Sequence, residues 1–272
     1  MGNTLPIYYI NLDNRPQRRD FMERQFAKFG LSGTRISAIV PNGPIPYALV
    51  PHVDARASHW LTPLVEACGL SHVYCWTRLV AETDAPDWAL VLEDDGILSP
   101  SLPGFLEAFL ASPARHEADI VQLEVRDYAA RVLPARHKIG SGHHLARFRS
   151  TPYGTSAYLI SRQAARSLLA RKDLFHQPID VALFRPFMGP GRTLKSYLCN
   201  PGLCIQLEYA GTVSEVSRSD IAQDRFAKMV PGRRYVRNKW IGALNFADHL
   251  AHLPLGLHRR MIPFDGDIAE LR

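Results

Sequence analysis

Trp88-Ala89-Leu90-Val91-Leu92-Glu93-Asp94-Asp95-Gly96 is the stretch on which the fold turns. Its first five residues carry no polar group apart from the indole N–H and end abruptly at Glu93. A short, continuous apolar run of this kind is the pattern of a central strand buried on both faces, as in α/β sheets. Ligands of open α/β sheets collect beyond the carboxyl ends of the strands, and there this chain places three consecutive carboxylates. Such a group repels itself unless a cation or hydrogen-bond donors offset the charge, and hard oxygen ligands favour Mg²⁺ or Mn²⁺. A solvated strand end turning at Gly96 is the plainer alternative.

Working outward, residues 66–82 put Leu70, Val73, Trp76, Leu79 and Val80 near one helical stripe, before Asp84, Ala85, Pro86 and Asp87 break it. After the acidic run, Ser99 and Pro100 suit the start of a helix carrying Leu102, Phe105, Leu106, Phe109 and Leu110, and DIVQLE (119–124) reads as a strand. At the beginning, LPIYYINL (5–12) is a buried strand; Asp13 and Asn14 suit a cap, Pro16 falls in the first helical turn and Gly30 ends the helix. RISAI (35–39) is a second strand, and the proline-rich stretch to Pro63 is mostly loop. Residues 125–150 read as a hairpin or loops, TSAYLI (155–160) as a strand running into a helix capped by Ser161, and SYLCN and LCIQLEY as strands near the far edge. The alternation predicts an α/β sandwich on a mainly parallel or mixed central sheet.

The 272 residues suffice for one sizeable domain or a domain with a small annex, and 46% hydrophobic with 21% charged residues excludes a disordered or collagen-like chain. Four cysteines without a CxxC pair are too sparse for a disulfide scaffold, so they are expected as reduced thiols. Cys68 and Cys75 lie seven apart with His72 between them, but no second pair with ligand spacing supports a zinc site. The N-terminus lacks the pattern of a secretory signal, and the longest uncharged stretch, 36–53, holds four prolines and cannot be an ordinary spanning helix. A cytoplasmic protein is expected.

The formal charge of +6 is unevenly placed. Residues 125–150 carry +5 and residues 225–240 carry +6, leaving the remainder at −5. The two basic segments suit an anionic membrane face or a phosphorylated acceptor. No recognisable nucleic-acid module accompanies them, so no nucleic-acid partner is expected.

Ser71-His72-x-x-x-Trp76 on a helix, followed after some twenty residues by a hydrophobic strand and Glu93-Asp94-Asp95, resembles glycosyltransferase family 25. Ile10-Asn11-Leu12 with its Arg-rich helix, Gly154-Thr155 with Ala157 to Ser161, Pro178-Ile179-Asp180, and Pro201, Gln206 and Ser219-Asp220-Ile221 resemble further family elements in the family's order. The chain departs in having Val65 and Ala67 where the family has Glu and Gly, and Glu-Asp-Asp in place of a strict Asp-x-Asp.

The resemblance implies a GT-A-like, Rossmann-type sandwich over residues 1–222, with 223–272 as a basic extension docking acceptor or membrane. It implies inverting transfer of a sugar, galactose in the family, from a UDP-sugar to a hydroxyl of a lipopolysaccharide or other glycan or glycolipid acceptor, assisted by Mn²⁺ or Mg²⁺. Asp95 is expected as metal ligand, with Glu93 or Asp94 helping or bonding ribose. Asp180, just ahead of an apolar stretch that reads as the start of a helix, is expected as base, although an N-cap role would look the same. Asn11, Arg15 and Arg19 are nucleotide-binding candidates, joined on the likeness by Ser71 and His72, while Trp76 reads as packing. The alternatives are an inactive, transferase-like protein binding anionic lipid or nucleic acid, and a metal-dependent phosphohydrolase, for which a second cluster of His and Asp ligands is lacking.

Overall fold

The computed structural model describes residues 5–53, 61–82, 84, 86–126, 129–150, 153–210 and 231–268. Strand β1 (Ile7–Asn11) leads into helix α1 (Pro16–Phe29), which starts on Pro16 and is ended by Gly30 in the left-handed region at φ +65°. Strand β2 (Thr34–Ser37) precedes the proline-rich loop, and α2 (Pro63–Ala81) begins three residues earlier than its apolar stripe. The reason is local: the Thr62 hydroxyl accepts from Val65 N–H, and Pro63 occupies the first turn. Then follow β3 (Trp88–Glu93), β4 (Gly96–Leu98), α3 (Leu102–Ala111), α4 (Ala114–Glu117), β5 (Ile120–Gln122) and β6 (Glu124–Val125). The basic segment forms a hairpin, β7 (Ala130–Ile139) and β8 (His143–Phe148). Strand β9 (Ala157–Ser161) runs into α5 (Arg162–Leu169), where Ser161 Oγ accepts from Ala164 N–H at 3.1 Å. The chain continues through α6 (Ile179–Phe184), β10 (Ser196–Asn200), β11 (Cys204–Gln206), α7 (Pro231–His252) and β12 (His258–Arg260).

Nine strands form one mixed sheet in the order β12-β7-β8-β10-β5-β9-β3-β1-β2, and β4-β11-β6 make a small second sheet. Strand β3 runs parallel to β1 and antiparallel to β9. Its side chains divide by the strand period of two. Ala89 and Val91 enter the core built from α2, α5 and α6, whereas Trp88, Leu90 and Leu92 enter the core on the other face, built from α1 and α3. Each buried Leu, Val or Trp contributes on the order of 1.5–3 kcal/mol, so the strand carrying the acidic run is fixed from both sides.

Contrary to the expectation from its position in the chain, SYLCN is not near an edge. Strand β10 sits in the middle of the large sheet, parallel to β5 and antiparallel to β8. The C-terminal region supplies a strand to the same sheet: β12 pairs with β7, and Asp265 accepts from Ser99 Oγ at 3.1 Å and faces His143 Nε2 at 3.1 Å. Ser219-Asp220-Ile221, and with it the expected domain boundary at 222, lies outside the described residues.

Candidate active site

The carboxyl ends of β1, β3 and β5 and the start of β9 meet at one end of the sheet, because β1 and β3 are parallel and β9 runs against both β3 and β5. A cavity of about 320 Å³ opens there. Glu93, Asp94, Asp95, His72, Ser71 and Asp180 line it together with Arg18, Arg126, Thr155, Gln206 and Tyr209.

The three carboxylates are held differently. Glu93 Oε1 accepts from Thr155 Oγ1 and lies 3.2 Å from His72 Nε2. Burial opposes its ionisation, but the hydrogen bond and charge of His72, with Thr155 and Arg126, outweigh that and hold its pKa below the ordinary value. Asp94 is taken up by protein groups on both oxygens: Arg18 Nη1 donates to Oδ1 at 3.0 Å and Asn11 Nδ2 to Oδ2 at 2.6 Å. Burial nevertheless pushes it up, against the pull of Arg18 and Asn11. Among the described residues, the Asp95 carboxylate meets Ser156 Oγ at 3.4 Å and Arg18 Nη1 at 3.8 Å. Burial, followed by the Glu93 charge, pushes its pKa up to about 7.

Several expected site residues sit elsewhere. Arg19 is turned to solvent beside Asp20 and Glu23, and Arg15 does not line the cavity; the arginine that does is Arg18. Residues 18, 22, 25 and 26 form the buried stripe of α1, and Arg19 stands about 100° around the helix from Arg18, just outside that stripe. Asn11 is only 1% exposed and does not line the cavity. Its amide donates to Asp94 and to the Arg15 carbonyl, and its oxygen accepts from Arg35 Nε at 2.9 Å, so it positions Asp94. Asp94, with both oxygens engaged, is a structural partner of Arg18. Ser71 Oγ donates to the Ala67 carbonyl and accepts from Ile39 N–H, both at 2.9 Å, clamping the loop after β2 to α2.

His72 is fully buried between strand and helix. Its Nδ1 lies 3.0 Å from Tyr158 Oη, which also accepts from Trp76 Nε1 at 2.9 Å. Asp180 is 4% exposed; its carboxylate accepts from Val181 N–H at 2.8 Å and Gly154 N–H at 3.4 Å.

Behind the cavity-lining Arg126 lies a buried group that sequence reading missed. Glu124 opens β6, two residues beyond the end of β5, and closes the apolar run of DIVQLE much as Glu93 closes that of WALVLE. Its carboxylate accepts from Ser156 N–H at 2.8 Å and from Arg126 Nε at 2.9 Å, and burial pushes its pKa up to about 8 against the pull of Arg126. Arg126 donates further to Gln206 at 2.9 Å and to Tyr209 Oη at 3.0 Å, and stacks over the Tyr209 ring at 4.8 Å. Gly154 permits this packing: it has φ +103°, and a Cβ there would strike the Glu124 carboxylate and the Arg126 guanidinium.

An α/β sandwich with a cavity of charged side chains at its strand ends has the ligand-binding arrangement of an enzyme. Comparison with known proteins makes the class specific. The model of glycosyltransferase family 25 (LPS biosynthesis protein) matches residues 4–183. The lacto-N-neotetraose biosynthesis glycosyltransferase LgtE of Neisseria gonorrhoeae is 27% identical over 242 residues, covering 85% of this chain and 84% of that protein. The lipooligosaccharide biosynthesis protein lic2B of Haemophilus influenzae is 25% identical over 73% of this chain and 75% of its own length. A glycosyltransferase 25 family member of Drosophila melanogaster is 26% identical, covering 80% of this chain and 38% of that protein. The protein is a glycosyltransferase. It belongs to glycosyltransferase family 25.

Proposed function

We propose that this glycosyltransferase has a GT-A-like fold and moves a sugar, galactose on our reading, from a UDP-sugar to a hydroxyl of a lipopolysaccharide or related glycan acceptor, with inversion and with help from a divalent metal. The observation that carries the reading is the convergence of Glu93, Asp95, Arg126 and Asp180 on one cavity. The names of the relatives, concerned with lacto-N-neotetraose and lipooligosaccharide, support the acceptor class.

The donor set suits Mn²⁺ or Mg²⁺. Asp94 and Asp95 share the Arg18 guanidinium, and burial with the repulsion of Glu93 raises Asp95, as expected of a carboxylate whose charge is incompletely offset. Asp95 and Glu93 would hold the ion, which when bound neutralises charge developing on the diphosphate leaving group. Arg126, locked by Glu124, Gln206 and Tyr209, offers a preorganised donor to the same diphosphate. Asp180 takes the proton of the acceptor hydroxyl as that oxygen bonds to the anomeric carbon and the bond to UDP breaks. Its own hydrogen bonds from Gly154 and Val181 fix its direction. Asp180→Asn is expected to retain UDP binding and to lower kcat by a factor of about 10² or more, read from steady-state kinetics; an unchanged kcat disqualifies it as base.

We also place the enzyme in the cytoplasm, peripheral to the inner face of the membrane. Among the described residues no helix is long and apolar enough to cross a membrane. Helix α7 supports surface contact: Val236, Trp240, Phe246 and Leu250 are exposed on it, with exposed Lys239 beside them, while Asp248 on its inner side pairs with Arg149. An apolar stripe flanked by basic residues suits the interface of anionic lipid. Vesicles containing anionic lipid are expected to retain the protein and neutral vesicles to release it, with Trp240→Glu weakening retention roughly tenfold. Equal partitioning onto both vesicles contradicts this placement.

A further inference from the structure

We propose that Cys68, His72 and Glu93 form a second cation site in the cavity wall, selective for a thiophilic divalent ion such as Zn²⁺. One ligand atom from each, the Cys68 sulfur, a His72 ring nitrogen and a Glu93 carboxylate oxygen, lie within 4.8 Å of one another. Cys68 and His72 are four residues apart on α2, which stacks them on one helical face, and Glu93 reaches the same point from the end of β3. His72 Nε2 and Glu93 Oε1 are 3.2 Å apart. Two ligands at ordinary zinc distances subtend about 3.3 Å at a tetrahedral ion, so this edge is already set, and the sulfur needs a movement of about 1 Å.

The surroundings suit a metal-bound imidazole. With Nε2 on the ion, the His72 proton resides on Nδ1 and is donated to Tyr158 Oη, which has a lone pair for it beside the one taken by Trp76. All three ligands line the cavity, which leaves a fourth coordination position for water. Cys75, seven residues on from Cys68, is no part of this set, in keeping with the absence of zinc-ligand spacing in the sequence: it is buried, its thiol donates to the Ser71 carbonyl, and burial pushes its pKa far up. Of the four cysteines, only Cys68 is not buried.

Sulfur and imidazole favour Zn²⁺ over Mn²⁺ or Mg²⁺, and binding replaces the Cys68 thiol proton, which leaves to solvent. Because Glu93 belongs also to the proposed hard-cation set, the two ions exclude each other, and zinc inhibits transfer. That consequence rests on the function proposed above; zinc binding itself does not.

Co²⁺ is the probe, added to the full chain after chelator treatment. A cobalt–thiolate charge-transfer band is expected, displaced by one equivalent of Zn²⁺, displaced by Mn²⁺ only in large molar excess, and lost in Cys68→Ser, with Zn²⁺ affinity at least tenfold weaker in that variant. Asp95→Asn is expected to keep the band while losing Mn²⁺ binding, which separates the two readings. As a measurement on the unaltered chain, Zn²⁺ is expected to slow alkylation of Cys68 by iodoacetamide at least tenfold. Absence of the band, its persistence in Cys68→Ser, or an alkylation rate indifferent to Zn²⁺ overturns the site.

Discussion

Asp95→Asn is expected to lower sugar transfer by roughly 10³ while making the metal-free protein more stable at pH 8 than its parent. Both effects follow from the same position. The carboxyl is buried beside Glu93 and Asp94, and its pKa rises from 3.8 to about 7. Between those values the folded state retains a proton that the unfolded chain has released, so stability falls as pH rises through this window. Above about pH 7 the folded protein carries the charged carboxylate at a disadvantage that asparagine, resembling the neutral acid, does not have. Glu124, raised to about 8, contributes a similar decline in both proteins, so the comparison is between variant and parent. Thermal midpoints in chelator at pH 6 and pH 8 check the stability. Mn²⁺ needs the carboxylate, so its affinity for the parent is expected to rise with pH across the same window. A variant that keeps its transfer rate, or that is no more stable than the parent at pH 8, contradicts the assignment of Asp95.

Arg18→Met is expected to destabilise the fold by about 3–5 kcal/mol, the range for leaving a buried charge without its partner. Arg18 is 8% exposed, donates to Asp94 at 3.0 Å and lies 3.8 Å from Asp95. The methionine chain fills much of the same volume along the buried stripe of α1, so the loss reports the charge and its hydrogen bonds more than packing. Urea unfolding in chelator measures it. Arg19→Met serves as the contrasting case: its side chain is 44% exposed and pairs only loosely with Asp20 and Glu23, so a change below about 1 kcal/mol is expected. Similar losses for the two variants contradict the placement of Arg18.

The same contrast shows what was legible from the residues. The apolar run before Glu93 announces a doubly buried strand because every position in it must satisfy a core, and the two cores on either side of β3 bear this out. The Pro16 start and Gly30 end of α1 and the Ser161 start of α5 are equally readable, since these residues act on the backbone within one turn, although the cap expected of Asp13 or Asn14 is not made and Arg15 holds that position. Arg18 was not, although Met22 and Phe26 define the inward stripe on which it lies; its charge suggested a solvent face, and only the carboxylates delivered by β3, 76 residues away, explain its burial. Asn11 and Ser71 belong to motifs that suggested ligand contact, yet their hydrogen bonds go to neighbouring protein groups that no local pattern reveals. Strand β10 carries no mark of its central place, because strand order is set by long-range pairing.

The central claim is that a nucleoside diphosphate and a divalent metal occupy this cavity together. Calorimetric titration of UDP into the protein, once with Mn²⁺ and once in chelator at pH 7.5, tests it most directly. Binding at least tenfold tighter with Mn²⁺ is the predicted result, reduced to the chelator value in Asp95→Asn. UDP binding of equal strength in both buffers, or no binding in either, contradicts the account.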